Sequence, residues 1–148
     1  MGMILERVLH PGGTVDLANR RVERVLLTSG ELARHRLRVR TDAGREIGIS
    51  LPHGHGLHDG DLLHLDDALA IVVQQAEEDL LRLLPRTPEE FALAGYQVGN
   101  LHRAAMIEGG AVTVLYDKAI ESVAARFHIP CEKARGKFRP VQNSGHSH

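Results

Sequence analysis

Residues 87–100 read TPEEFALAGYQVGN and carry the signals of one amphipathic helix. Thr87 can cap its first turn, Pro88 suits the first helical position, and Glu90 completes a capping box. Gly99-Asn100 marks the end of the helix. Apolar residues recur at helical spacing along this stretch and just beyond it, at Phe91, Ala94, Val98 and Leu101. The stretch therefore predicts a helix with one apolar face.

The segments on either side of this helix predict a ferredoxin-like unit. Gly109-Gly110 is a tight-turn pair between two apolar runs, which indicates a hairpin. Asp117 can cap a second helix, whose apolar residues recur at helical spacing until Pro130 ends it. Strands are expected at Asp79–Leu84, Ala104–Glu108, Val112–Tyr116 and about Cys131–Phe138. The resulting element order is β-α-β-β-α-β.

The first half of the chain predicts a small all-β domain, a sandwich or a barrel. Turn residues separate short runs at Met3–Val8, Val22–Thr28, Arg36–Thr41, Glu46–Leu51, Asp61–Leu65 and Ala68–Gln74. The clearest hairpin alternates arginine with apolar residues over Arg36–Arg40, turns at Asp42-Ala43-Gly44, and alternates again through Ile47 and Ile49. We interpret these arginines as the solvated face of an outer strand rather than as an anion-binding surface.

The two patterns together indicate an α+β protein of two domains. Residues 1–76 are expected to form the β-rich domain and residues 77–140 the ferredoxin-like domain. Residues 141–148 are small and polar, and they include two histidines, so they predict a short flexible tail.

Composition excludes several broad classes of function. The 148 residues are 43% hydrophobic and 25% charged, which is ordinary for a soluble globular protein. A net charge of −1 gives no basic field for nucleic acid, so no nucleic-acid partner is expected. No signal peptide or membrane-spanning run is recognisable. The single cysteine, Cys131, fits a reducing compartment, and we expect a cytoplasmic protein without a membrane partner.

The unusual feature of the composition is ten histidines in a chain with only 3% aromatic residues. Imidazole is a ligand for nickel, zinc and copper. Three places are candidates for metal binding, namely His102 after the first helix, the tail pair His146 and His148, and the glycine-rich loop that contains His53, His55 and His58. The remaining histidines are interpreted as structural or surface residues, namely His10, His35, His64 and His128.

Each candidate also has a simpler explanation. Two tail histidines separated by one residue are as typical of an affinity-tag remnant or an uninvolved terminus as of a metal site. A lone histidine at a helix end, such as His102, is usually a packed or hydrogen-bonded residue, although a two-fold axis would bring two copies of it together. The loop of His53, His55 and His58 can be an exposed polar loop, and its glycines argue against a rigid site; we interpret it as an auxiliary site at most.

The sequence contains no recognisable catalytic constellation. It has no His-Glu-x-x-His helix, no nucleophile elbow, no phosphate-binding glycine loop with lysine, and no cysteine pair for zinc. Binding is therefore favoured over catalysis, and no enzyme activity is expected.

Four segments resemble the UreE family of urease accessory proteins, which are nickel metallochaperones. They are Tyr96-Gln97-Val98-Gly99-Asn100-Leu101-His102, Val114-Leu115-Tyr116-Asp117-Lys118, Lys137-Phe138-Arg139-Pro140 and Gly145-His146-Ser147-His148. The resemblance implies that His102 is the central nickel ligand and that His146 and His148 form the histidine tail. This chain departs from the family at Leu101, where arginine is common, and in ending with two histidines rather than a long run.

The resemblance also implies a mechanism and partners. An N-terminal β domain would contact partners, and a ferredoxin-like domain would form a homodimer in which two copies of His102 hold one Ni2+ at the axis. The ion would pass to the urease maturation GTPase and, through it, to the urease apoprotein complex; Zn2+ or Cu2+ binding stays open. Two alternatives are a non-catalytic RNA- or protein-binding adaptor with incidental metal affinity, which the few aromatic residues disfavour, and a metal-dependent hydrolase.

Overall fold

The computed structural model describes residues 2–10 and 17–141. The chain forms two compact units, the β unit Met1–Ala76 and the ferredoxin-like unit Glu77–His148. The elements of the β unit are β1 Met3–Leu5, β2 Arg21–Leu27, α1 Ser29–Leu32, β3 Arg36–Arg40, β4 Glu46–Ser50, β5 Leu62–Leu65 and β6 Leu69–Gln75. Those of the ferredoxin-like unit are β7 Glu78–Leu83, α2 Pro88–Asn100, β8 Met106–Glu108, β9 Ala111–Leu115, α3 Lys118–Arg126 and β10 Cys131–Gly136.

The described residues of the β unit form two three-stranded sheets, each with one parallel and one antiparallel pair. In the first sheet the order is β1-β4-β3, with β4 parallel to β1 and antiparallel to β3. In the second the order is β2-β6-β5, with β6 parallel to β2 and antiparallel to β5. Alternate residues of the strands form one apolar core, which includes Val25, Leu27, Leu37, Ile47, Ile49, Ile71 and Val73.

The hairpin predicted around the arginine alternation is confirmed. Arg36 pairs with Ser50 and Arg40 with Glu46 across β3 and β4. Gly44 has a φ of +83° in the connecting turn, a conformation that glycine adopts without steric cost. Leu37 between the arginines is buried, whereas the alternate arginine side chains are exposed.

A buried carboxylate connects the second sheet to this turn. Glu23 of β2 is 1% exposed and accepts hydrogen bonds from Arg45 Nε at 3.0 Å and Arg45 Nη2 at 3.1 Å. The hydroxyl of Thr41 also donates to Glu23, at 2.7 Å. These bonds, the one from Arg45 first, hold the pKa of Glu23 below its usual value. The carboxylate therefore stays charged and ties the β3–β4 turn to β2.

The helix α1 interrupts the part of the chain that was predicted to be entirely β. Its N-cap is Thr28, whose hydroxyl accepts from the N–H of Glu31 while the Glu31 carboxylate accepts from the N–H of Thr28. This reciprocal capping box satisfies two backbone donors at once, so it stabilises even a helix of 4 residues. The sequence Thr28-Ser29-Gly30-Glu31 is a local signal for the start of a helix. Strand periodicity alone does not detect this signal.

The ferredoxin-like unit has a four-stranded antiparallel sheet in the order β10-β7-β9-β8. Thr87 caps α2 by accepting from the N–H of Glu90, and Asp117 caps α3 by accepting from the N–H of Ala119. Gly109 and Gly110 both have positive φ in the turn between β8 and β9. The predicted α+β class, with a β domain followed by a βαββαβ domain, is confirmed.

The two long helices of this unit bury small and branched residues against the sheet. Ala94 and Val98 of α2 and Ile120 and Ala124 of α3 are at most 2% exposed and share one core with the sheet. Phe91, expected on the same apolar face of α2, is instead 36% exposed. None of the helices in the described ranges has the length and apolar composition that crossing a membrane requires.

Candidate metal centre

His102 lies just past the end of α2 in a left-handed backbone conformation. Leu101 is the C-cap of the helix, and His102 follows it with a φ of 57°. The N–H of His102 donates to the Gly99 carbonyl at 3.0 Å, and the N–H of Arg103 donates to the Val98 carbonyl at 3.1 Å. This pair of bonds is a Schellman motif, in which His102 holds the position that glycine usually takes.

The conformation decides where the His102 side chain lies. Helical geometry ends before His102, so the histidine does not continue the face of α2 that bears Phe91. A side chain with left-handed backbone carries strain of about 1 kcal/mol or more. The imidazole is exposed rather than packed into the core. The protein thus keeps a strained, accessible imidazole at a place where glycine would be less strained.

Arg103 fixes the backbone on both sides of this histidine. Its Nη1 donates to the Leu101 carbonyl at 2.8 Å, and its Nε donates to the carboxylate of Asp117. Asp117 is also the N-cap of α3, where its other oxygen accepts from the N–H of Ala119 at 2.9 Å. The hydrogen bond from Arg103 holds the pKa of Asp117 below its usual value. The end of α2 is therefore tied to the start of α3.

The chain returns to this region after β10. The N–H of Arg139 donates to the Sδ of Met106 at 3.4 Å, and the N–H of Val141 donates to the Ala105 carbonyl at 2.8 Å. Ala105 is three residues from His102 along the chain. The described chain thus ends beside the His102 segment, while His146 and His148 lie outside the described residues.

One face of α2 is exposed and carries both a large ring and two glycines. Tyr96 is 67% exposed. A Cβ added at Gly95 or Gly99 would meet no atom within 4 Å, so packing in this unit does not require glycine at either position. Glycines on an open helix face permit close approach by another backbone. The face ends next to His102.

His128 holds the same position at the end of α3 that His102 holds at the end of α2. Its φ is also 57°. Its N–H donates to the Ala125 carbonyl at 3.2 Å, and the N–H of Ile129 donates to the Ala124 carbonyl at 2.9 Å. The backbone conformation alone therefore does not single out a metal ligand.

His53 and His58 of the glycine-rich loop contact different neighbours. The ring of His53 contacts that of His35, with centroids 5.0 Å apart and planes at 78°. Nδ1 of His58 lies 3.8 Å from the carboxylate of Asp61. Among residues 2–10 and 17–141, no three histidine, cysteine or acidic residues are grouped as a metal site. The described structure therefore does not gather His53, His55 and His58 around one point.

Two residues near these candidates were not singled out from the sequence. Arg103 stands next to His102, but its bond to Asp117 depends on the packing of two helix ends. His35 is 18 positions from His53, and no local pattern connects them. The left-handed φ of His102 is also hidden in the sequence, because the usual signal for that conformation is glycine.

Comparison with known proteins covers both units. Residues 5–76 match the UreE urease accessory protein N-terminal domain, and residues 78–148 match its C-terminal domain. Similar proteins include urease accessory protein UreE from Bacillus sp. (strain TB-90), 35% identical over 150 residues, and from Geobacillus kaustophilus (strain HTA426), 35% identical over 147 residues. UreE from Staphylococcus saprophyticus subsp. saprophyticus is 38% identical over 151 residues. Each alignment covers 99% of both chains.

These matches follow the division into two units and confirm the resemblance drawn from the four segments. They describe accessory proteins rather than catalysts, in agreement with the binding role expected from the sequence. The chain belongs to the UreE family of urease accessory proteins.

Proposed function

We propose that this protein is a cytoplasmic, homodimeric nickel metallochaperone that binds Ni2+ at the dimer axis through His102 and delivers it for assembly of the urease metallocentre. Membership of the urease accessory family supports the nickel role. The observation that carries the site is the accessible imidazole of His102, which lies at the end of the exposed, glycine-containing face of α2. His128 has the same strained backbone, so the position beside this face, rather than the strain, distinguishes His102.

The exposed face of α2 supports a dimer contact beside His102. Tyr96 offers a large amphipathic surface, and Gly95 and Gly99 leave room for close approach. A two-fold axis through this face would make the contact self-complementary and would place two copies of His102 near each other. One chain then needs to supply only one ligand at the axis.

The tail histidines would complete the metal shell. His146 follows Val141 by five residues, which span at most about 18 Å, while His102 and Ala105 are at most about 11 Å apart along the chain. Because Val141 is bound to Ala105, His146 and His148 would be within reach of His102 in the same chain. The tail ligands therefore need no contribution from the β unit.

The chemistry of such a site suits transport rather than catalysis. Imidazoles bind Ni2+ when they are neutral, and they also bind Zn2+ and Cu2+, so selectivity would come from geometry and metal supply. Ligands supplied by two chains and two tails can be removed one at a time. A partner that offers better ligands can then take the ion.

The partners proposed for this transfer are the urease maturation GTPase and, through it, the urease apoprotein complex. In this proposal the ferredoxin-like unit, with residues 77–140 and the tail 141–148, binds metal and forms the dimer. The β unit, residues 1–76, contacts the partner.

Native mass spectrometry with limiting nickel tests the shared site. We expect one Ni2+ per two chains as the first species to fill. In calorimetry His102→Ala should lower the affinity at least tenfold and remove this stoichiometry, whereas the matched variant His128→Ala should bind like the parent protein. Unchanged affinity and stoichiometry in His102→Ala would refute the central role of His102, and one tightly held ion per single chain would refute the shared axis.

A further inference from the structure

We infer that His35 and His53 form a second, weaker metal site on the β unit, which binds a late divalent transition-metal ion such as Ni2+ or Cu2+. The two histidines come from different segments, the connection between α1 and β3 and the loop after β4, and the fold brings their rings into contact. The site is independent of His102, so it goes beyond the function proposed above.

The separation of the two rings suits a shared metal ion. An ion bound to one nitrogen at 2.0–2.1 Å lies roughly 3.2 Å from the centre of that ring. Ring centroids 5.0 Å apart then correspond to an angle of about 100° between the two metal–nitrogen bonds. This value lies between the ideal angles of octahedral and tetrahedral coordination. His53 is exposed, so rotation of its ring can direct a nitrogen towards the ion without moving the backbone.

The ring nitrogens of this pair are available for binding. Within the described part of the chain, neither His35 nor His53 has a side-chain hydrogen bond or ion pair. The ring of His64, in contrast, is bound to the carboxylate of Asp66 at 2.8 Å. His35 is half-buried, and no buried side-chain nitrogen or oxygen of the described residues lacks a hydrogen-bond partner. The unpartnered ring nitrogens of His35 therefore reach solvent, where an ion can approach them.

The loop that carries His53 is held against the segment that carries His35. The N–H of Leu51 donates to the His35 carbonyl at 2.7 Å, and the N–H of Leu57 donates to the Leu32 carbonyl at 2.7 Å. Gly56 allows this close approach, because a Cβ there would lie 2.7 Å from the Leu32 oxygen. Backbone bonds on both sides of His53 therefore preorganise the pair, despite the glycines in the loop.

The surroundings indicate a weak, exchangeable site. Arg34 and Arg36 flank His35 in the sequence, and both are exposed cations that oppose a divalent ion. Two imidazoles leave the remaining coordination positions to water. Such a site can take up an ion and lose it readily, which suits an accessory position on a metal carrier.

The test uses the full-length chain with His102→Gly, His146→Ala and His148→Ala, which removes the ligands proposed for the ferredoxin-like unit. Paramagnetic Ni2+ is titrated into the 15N-labelled protein. We expect the amide signals of residues 34–36, 51, 53 and 54 to broaden first. Adding His53→Ala should weaken this effect at least tenfold, and His35→Ala should do the same.

His55→Ala is the matched control, because it removes a histidine from the same loop and should leave binding unchanged. The exposed His53 decides the matter even if His35→Ala perturbs the fold. The inference is wrong if other signals broaden first, or if His55→Ala weakens binding as much as His53→Ala. Since the background lacks the ligands proposed at the dimer axis, this outcome is independent of the nickel stoichiometry of the parent dimer.

Discussion

Replacing His102 by glycine should stabilise the metal-free protein and abolish its stabilisation by nickel. The residue has a φ of 57°, in the region where an L side chain costs about 1–2 kcal/mol. Glycine removes that strain, but its greater freedom in the unfolded chain offsets about 0.5–1 kcal/mol. The midpoints of these two ranges give an expected net gain in the free energy of unfolding of about 0.75 kcal/mol. For a unit of this size it corresponds to a rise in Tm of roughly 3–6 °C.

His128→Gly provides the matched comparison, because His128 has the same φ and the same Schellman bonds. It should stabilise the metal-free protein by a similar amount. Nickel at a free concentration of 100 times Kd should add about 2.7 kcal/mol to the parent protein and to His128→Gly. His102→Gly should gain little of this.

Thermal unfolding followed by circular dichroism, at one protein concentration with and without nickel, measures both effects. A nickel-induced rise in Tm of His102→Gly equal to that of the parent protein would refute the assignment of the ligand. A loss of stability in metal-free His102→Gly, beside a gain in His128→Gly, would show that the strain at His102 is compensated by contacts of its side chain.

Three further predictions concern other parts of the molecule. Glu23→Gln should lower the free energy of unfolding by about 2 kcal/mol near pH 7, because it removes a buried charged hydrogen-bond acceptor. Because the pKa of Glu23 is lower in the folded state than in the unfolded state, this stability difference should be fully present above the unfolded-state pKa and should disappear as the pH falls through the folded-state pKa. Chemical denaturation at several pH values measures the difference. A difference that does not depend on pH would contradict the reasoning. Gly99→Leu should preserve the circular dichroism spectrum, since a Cβ there meets no atom within 4 Å, but shift sedimentation from dimer to monomer; a dimer of unchanged strength would exclude this face as the contact. Arg103→Gln should weaken nickel binding several-fold in calorimetry without abolishing it, because the substitution removes the contacts of Arg103 with the Leu101 carbonyl and the Asp117 carboxylate. An unaltered Kd would show that Arg103 does not position His102.

Local signals predicted most of the ferredoxin-like unit. Thr87 and Asp117 cap their helices through bonds to residues two or three positions away, and Gly109-Gly110 closes a tight turn. These interactions depend on neighbouring residues, so they are readable from a single sequence. The alternation of arginine with Leu37 and Val39 predicted a hairpin for the same reason.

Interactions between distant segments were not predictable in this way. The parallel pairing of β1 with β4 and of β2 with β6 joins residues more than 40 positions apart. The contact between His35 and His53 depends on how a loop lies against the end of α1. The exposure of the His102 side chain depends on a left-handed φ, which histidine as a residue type does not predict. His102 was therefore identified through the family resemblance rather than through its own local pattern.

The hydrogen bond between Val141 and Ala105 has a kinetic consequence for the proposed metal transfer. It places Val141 next to the His102 segment, so a ligand that follows Val141 would have an effective concentration near His102 on the order of millimolar. Such a ligand would rebind the ion as a first-order event, at a rate that does not depend on how dilute the protein is. In this proposal a partner would have to compete with tethered imidazoles, and it would gain the ion by docking on the carrier rather than by waiting for free nickel.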